Sequence, residues 1–273
     1  MPLTPVANPT PPKLESGISA TVSNIEQARQ AASGANKREY VQAMFAEIAP
    51  RYDFLNHVLS LNIDKGWRRK ALAALQWPRS PGGRYLDLCA GTLDVGAALS
   101  RAKGFNGFII GADFAMPMLQ HGASKARRSV LAPVNADALS LPIANASLDG
   151  AIVAFGIRNV ADLDACLREV RRLLRPSARF VILEFSTPSS VLVRTFYQAY
   201  FHYVLPFIGR MISGHKSAYT YLPLSVAKFP TRDVLATHMR EAGFVNVTWQ
   251  SLTLGVAAIH VGEVPRTREV PLK

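Results

Sequence analysis

Residues 85–99 read YLDLCAGTLDVGAAL: a short apolar run, a turn built on Gly91, and an amphipathic helical pattern. No other stretch constrains the fold more, because a strand feeding a helix through a glycine turn is half of a crossover whose strands run parallel. Parallel strands need both faces covered. The pattern repeats along the chain. RYLDLC is a buried strand with a helix over 94–103, and GFIIGAD is a second strand with a helix over 116–128. VLAPVNAD is a shorter third strand, LDGAIVAF a fourth with a helix over 162–174 closed by Pro176, and RFVILEF a fifth. Beyond an aromatic-rich insertion, a helix over 231–242 capped by Gly243 leads into VNVTWQSL and GVAAIHVGEV, two strands around Gly255. With no helix between that pair, the last strand runs antiparallel. The expected fold is α/β: a doubly wound, Rossmann-like, seven-stranded sheet, mostly parallel with an antiparallel last strand.

Ahead of the alternation, Val41, Met44, Phe45 and Ile48 share a helical face, Pro50 breaks it, and a second helix covers 67–75. Residues 37–78 are therefore read as an N-terminal helical cap on a domain over 37–264, with 188–229 as the insertion. Residues 1–36 and 265–273 are read as tails, the first disordered. Pro2, Pro5, Pro9, Pro11 and Pro12 break any secretory apolar run. Cys89 and Cys166 lie far apart, which excludes a disulfide framework and a zinc site and fits a reducing cytoplasm. His57, His202 and His215 have no metal-ligand spacing. Lys and Arg total 31 against 19 acidic residues, a formal net charge of +12 that favours an anionic partner. Because RRK at 68–70, KARR at 125–128 and RRLLR at 171–175 are scattered over helix faces without stacking aromatics, nucleic acid is not expected. The apolar run at 195–212 contains His202, Pro206, Gly209 and Arg210, too polar for the roughly 20 apolar residues of a bilayer span. It can still lie against a membrane.

Ligands of a doubly wound sheet bind at the carboxyl ends of its strands. Gly91 and Thr92 open the first helix there, whose free N–H groups face the crevice. Asp113 ends the second strand roughly 20 residues later, where a carboxylate accepts both hydroxyls of a ribose. Asp137 ends the third, placed for the exocyclic amine of an adenine.

LDLCAGT, GADFAMPML, NADALSLPI and AFGIRNVADLDACLREVRRLLRP resemble the class I S-adenosylmethionine-dependent methyltransferases. More narrowly, with FAEIAPRYDFLNHVLSLNIDKGWRR and AYTYLPLSVAKFP, they resemble the ubiquinone/menaquinone biosynthesis C-methyltransferases, over residues 40–264. The resemblance implies S-adenosylmethionine as cofactor, Thr92 in its loop, Asp113 on the ribose, and Asp137 with Ala138 beside the adenine. It implies methylation of a polyprenyl quinol ring carbon, with demethylmenaquinol favoured over a benzoquinol, and needs no metal. An anionic membrane surface is the expected peripheral partner, and a homodimer is left open.

A quinol hydroxyl, with a phenolic pKa near about 10, has to be polarised before its ortho carbon becomes nucleophilic. Arg158 of FGIRNV, past the fourth strand, favours the phenolate by its charge, and Asn159 orients a water that takes the proton. Tyr52 and Asp53 close over the cofactor. Phe196, Tyr197, Tyr200, Phe201, Tyr203 and Phe207 form a lid for the prenyl tail, bordered by Arg194, Arg210 and Lys216 toward lipid headgroups. Ala154 stands where the family often has serine, so any contact there comes from the backbone. Leu93 stands where the family reads glycine; the turn is expected to relax to ordinary dihedrals with the leucine packed into the helix. A cofactor-deficient scaffold is the alternative that Leu93 raises.

Overall fold

A computed structural model describes residues 26–32, 34, 36–53, 60, 62–127, 129–200 and 216–266. Helix α1 (Lys37–Ile48) and helix α2 (Ile63–Ala74) precede strand β1 (Arg84–Leu88). Then come α3 (Asp94–Ser100), β2 (Phe108–Asp113), α4 (Met116–Gly122), β3 (Leu131–Asn135) and β4 (Leu148–Ala154). A 3-10 turn (Ile157–Asn159) leads to α5 (Leu163–Leu173), β5 (Leu174–Phe185), α6 (Val191–Ala199) and α7 (Lys216–Lys228). The described chain closes with α8 (Arg232–Glu241), β6 (Val245–Leu252) and β7 (Ala257–Glu263).

The seven described strands form one sheet in the order β3-β2-β1-β4-β5-β7-β6. β1 pairs parallel with β2 and β4, and β4 parallel with β5; β7 alone runs antiparallel, inserted between β5 and β6. The strand order reverses between β1 and β4, so their carboxyl ends diverge into a crevice. Both faces are covered, as the near-continuous apolar strands require. Leu167, Val170 and Leu173 of α5 pack with Leu235 and Met239 of α8 on one face. Trp67, Ala71 and Leu72 of α2 pack with Val95 and Leu99 of α3 on the other. Each such side chain contributes about 1.5–3 kcal/mol on burial. Asp162 starts α5 by accepting from the Ala165 N–H at 2.9 Å, which satisfies one of the free amides of its first turn.

Three expectations are corrected. The helix before β5 ends at Leu173 without Pro176, which lies in the strand where the pairing jumps from Leu148 opposite Leu174 to Gly150 opposite Arg179. Proline has no N–H for the ladder, and that irregular stretch absorbs it. The helix after β2 stops at Gly122 and tightens into a 3-10 turn, Ala123–Lys125. Residues 26–32 are helical, with Ala28 and Ala31 buried against Val41, Met44 and Tyr221, so ordered chain begins well before residue 37.

The two helices of the expected cap do different work. α2 belongs to the sheet: Trp67 Nε1 donates to Thr253 Oγ1 at 2.9 Å, and Arg179 Nη1 donates to the Ala74 carbonyl at 3.1 Å. Only α1 overlies the strand ends. Among the described residues, no helix is long and apolar enough to cross a membrane.

Candidate active site

The loop after β1 is built from left-handed residues: Cys89 at φ 51°, Gly91 at 52° and Leu93 at 65°. Leu93 has thus not relaxed to ordinary dihedrals, which corrects that expectation, but its side chain is packed as expected and wholly buried in the core. It lies over Gly111 of β2, where an added Cβ would meet Leu93 Cδ2 at 2.5 Å. The left-handed backbone costs a leucine about 1–3 kcal/mol. Leaving a void in place of a buried leucine costs more, about 2–5 kcal/mol. Leu93→Gly should therefore lower stability by about 1–3 kcal/mol in urea unfolding while changing cofactor affinity less than about twofold. Equal or greater stability would mean that backbone strain dominates.

Leu93 points away from the cleft that the loop borders. That cleft, partly open to solvent, gathers residues from the ends of four strands. Cys89 and Gly91 follow β1, Ala112, Asp113 and Phe114 end β2, Ala136, Asp137 and Ala138 follow β3, and Ala154, Phe155, Gly156 and Asn159 follow β4. Arg38 and Phe45 of α1 form the roof, with Tyr52 beside them. Of the expected site residues, Gly91, Asp113, Asp137, Ala138 and Asn159 line the cleft, as does Ala154; Thr92 and Arg158 stand behind it.

Asp113 fixes the loop from below. Its Oδ2 accepts the Gly91 N–H and its Oδ1 the Ala115 N–H, each at 2.8 Å. Burial raises its carboxyl pKa, and the backbone N–H groups oppose that rise. Each oxygen keeps capacity for a second donor, and Asp113 lines the cleft. Asp137 takes the Leu139 N–H at 3.0 Å and an ion pair with Arg38 at 3.0 Å, which ties α1 across the mouth.

Thr92 donates through Oγ1 to Asp53, and Lys125 Nζ bridges Asp53 and Asp94. Burial pushes Asp53 up, but Lys125 and Thr92 hold its carboxyl below the ordinary range overall. Arg68 of α2, 3.7 Å from Asp94, completes a zwitterionic cluster beside the glycine loop. Sequence reasoning anticipated Asp53 but missed Arg68, Lys125 and Asp94. Arg68 and Lys125 sit in basic runs that read as solvated helix faces, and Asp94 reads as a first-turn acid; only folding brings them together.

Arg158 occupies a dry position. Its Nη1 donates to Glu184 Oε1 at 2.9 Å and to the Phe155 carbonyl, and its guanidinium stacks 5.5 Å from the Phe185 ring centroid. Burial drives Glu184 up against the pull of Arg158. Glu184, on β5, carried no sequence signal beyond an acid within an apolar strand. Among the expected lid residues, Phe196 is exposed; Phe201, Tyr203, Phe207, Arg210, His57, His202 and His215, and the side chain of Lys216, lie outside the described residues.

A reversed, mostly parallel seven-stranded sheet with one antiparallel insertion is the class I methyltransferase fold, and its strand-end cleft holds Asp113 at the end of β2 and Asp137 after β3. The cyclase SpnF has the same fold, with a TM-score of 0.61 at 14% identity, covering 84% of this chain and 96% of that one. A Haloferax volcanii methyltransferase solved with the Trm112 methyltransferase activator gives 0.59 at 18% identity, covering 81% and 97%. The profile of the ubiE/COQ5 methyltransferase family matches residues 33–264. The demethylmenaquinone methyltransferase of Thermus thermophilus is 46% identical over 225 residues, 81% of this chain and all of that one. The ubiquinone/menaquinone biosynthesis C-methyltransferase UbiE of Geotalea daltonii is 44% identical over 231 residues, 83% and 97%. The chain belongs to the ubiE/COQ5 methyltransferase family. It is a methyltransferase, and its cofactor is S-adenosylmethionine. The residues present fit that group: Asp113 and Asp137 bring carboxylates to the cleft from the ends of two neighbouring strands, and a Cβ on Gly91 would press into its lining at 3.3 Å from Met118 Cε.

Proposed function

We propose that this chain methylates a ring carbon of a polyprenyl quinol, converting demethylmenaquinol to menaquinol. Arg158 carries the reading: a buried cation at the end of β4, beside the cleft residue Asn159, favours the phenolate form of an acceptor hydroxyl and makes the neighbouring carbon nucleophilic. The printed names of the Thermus and Geotalea relatives support the same acceptor class.

S-adenosylmethionine supplies an activated methyl group. Asp113 would accept from its ribose hydroxyls, Asp137 and Ala138 would face the adenine, and Gly91 and Thr92 would shape the loop beneath it. The Arg68, Lys125 and Asp53 cluster has the charges to meet an amino acid's ammonium and carboxylate. Phe114, Phe155 and Phe45 keep the cleft apolar, which strengthens the field of Arg158 on the acceptor. Asn159 orients the water that takes the hydroxyl proton. The protein's contribution is positioning and charge stabilisation.

On α6, Val191, Leu192 and Phe196 are 67–70% exposed, with Arg194 among them. An apolar helix face with a basic residue, on a chain of net charge +12, supports peripheral docking at an anionic membrane, where a polyprenyl quinol resides.

The test is incubation with methyl-labelled cofactor and the demethylated naphthoquinol and benzoquinol in turn, with products identified by mass spectrometry. Ring methylation of the naphthoquinol is expected. Methylation of the benzoquinol alone would correct the acceptor, and methylation of neither would overturn the reading.

A further inference from the structure

Three buried polar atoms on the 3-10 turn after β4 or on the helix packed against it have no hydrogen-bond partner among the described residues: Arg158 Nε, Asn159 Oδ1 and Tyr221 Oη. Each such atom costs about 1–3 kcal/mol if it stays unpaired. Asn159 lines the cleft, and Tyr221 comes from α7, which packs against both this turn and α1. Tyr221 is 1% exposed, its ring 5.5 Å from that of Tyr40, in an apolar cluster that includes the cleft residues Phe45 and Phe114. The Arg158–Glu184 pair lies close enough to act electrostatically on its hydroxyl. Burial pushes its phenol up to about 12, so near neutral pH it stays protonated and able to donate.

The three atoms make a complementary set. Arg158 Nε is a donor, Asn159 Oδ1 an acceptor, and a tyrosine hydroxyl is both. A hydroxylated aromatic ring offers the matching groups, since its oxygen accepts two donors and its proton needs one acceptor. Resting on the quinol reading above, we propose that Tyr221 orients the acceptor: its hydroxyl donates to the same ring oxygen that Arg158 polarises, holding the ring against the Asn159 side of the cleft. Tyr221 then adds a second donor to the developing phenolate and fixes which ring carbon is presented.

Tyr221→Phe removes one oxygen and keeps the ring and its contact with Tyr40. The expected result is a fall of about tenfold or more in kcat/KM for the quinol, with the Kd for S-adenosylmethionine within about twofold of the wild type. Its Tm should hold or rise, because an unpaired buried hydroxyl has been removed; a purely structural tyrosine would give a lower Tm and weaker cofactor binding. Wild-type kcat/KM in Tyr221→Phe, or a variant defect explained by lower Tm, would overturn the proposal while the quinol reading stands. A wild-type chain that methylates no quinol would overturn both, and the two failures are distinct.

Discussion

Arg158→Met should destabilise the protein by about 3–5 kcal/mol, because Glu184, 2% exposed, would then be buried without its counter-charge. Unfolding in urea measures the loss. Turnover should fall by about a hundredfold or more, the scale expected when a charge-stabilising group is deleted. The two effects separate in the double variant Arg158→Met/Glu184→Leu. A well-packed apolar pair often matches a buried ion pair in stability, so the double variant should recover most of the lost stability. It should recover none of the turnover. If activity returns along with stability, Arg158 serves only the fold and the charge-stabilisation mechanism fails.

Asp113→Ala should weaken S-adenosylmethionine binding by at least about 1.5 kcal/mol, more than tenfold in Kd by calorimetry. Two losses combine: the ribose acceptor disappears, and the N–H groups of Gly91 and Ala115 lose the oxygens they point at, which loosens the loop. Asp113→Asn keeps one acceptor oxygen and should fall between. The 2′-deoxy analogue of the cofactor isolates the first loss, since the wild type should bind it more weakly and the alanine variant should barely discriminate. An unchanged Kd in Asp113→Ala would remove this carboxylate from the cofactor site.

The sheet was legible because period and punctuation agree from β1 to β5, and because VNVTWQSL and GVAAIHVGEV leave no room for a crossover helix. Its boundaries were less so. Pro176 reads as a helix stop, and the direct passage from α5 into β5 at Leu174 is decided by pairing with β4, which is a tertiary contact. The nucleoside end of the site was readable from Gly91, Asp113 and Asp137, since each stands at a strand end and strand ends converge by topology. Arg68, Lys125 and Glu184 were not, because the partners that join them at the site, Asp94, Asp53 and Arg158, lie 26 or more residues away along the chain, and a charged side chain has the same local signature whether it pairs or faces water. Arg158 was found but its setting was not: local sequence places it past β4, and only β5 supplies the carboxylate opposite it.

The contact between Leu93 and Gly111 makes two distant positions interdependent. Leu93 puts its bulk into the layer beneath the loop, at the level where β2 carries Gly111 and no side chain. A side chain at position 111 can enter only if the Leu93 methyl moves out of its place in the core. Glycine at 93 alone opens a hole, and a side chain at 111 alone displaces the leucine. Only a coordinated change at both could exchange the two side-chain sizes without a hole or an overlap, so the two positions are tied through the core rather than through the cleft.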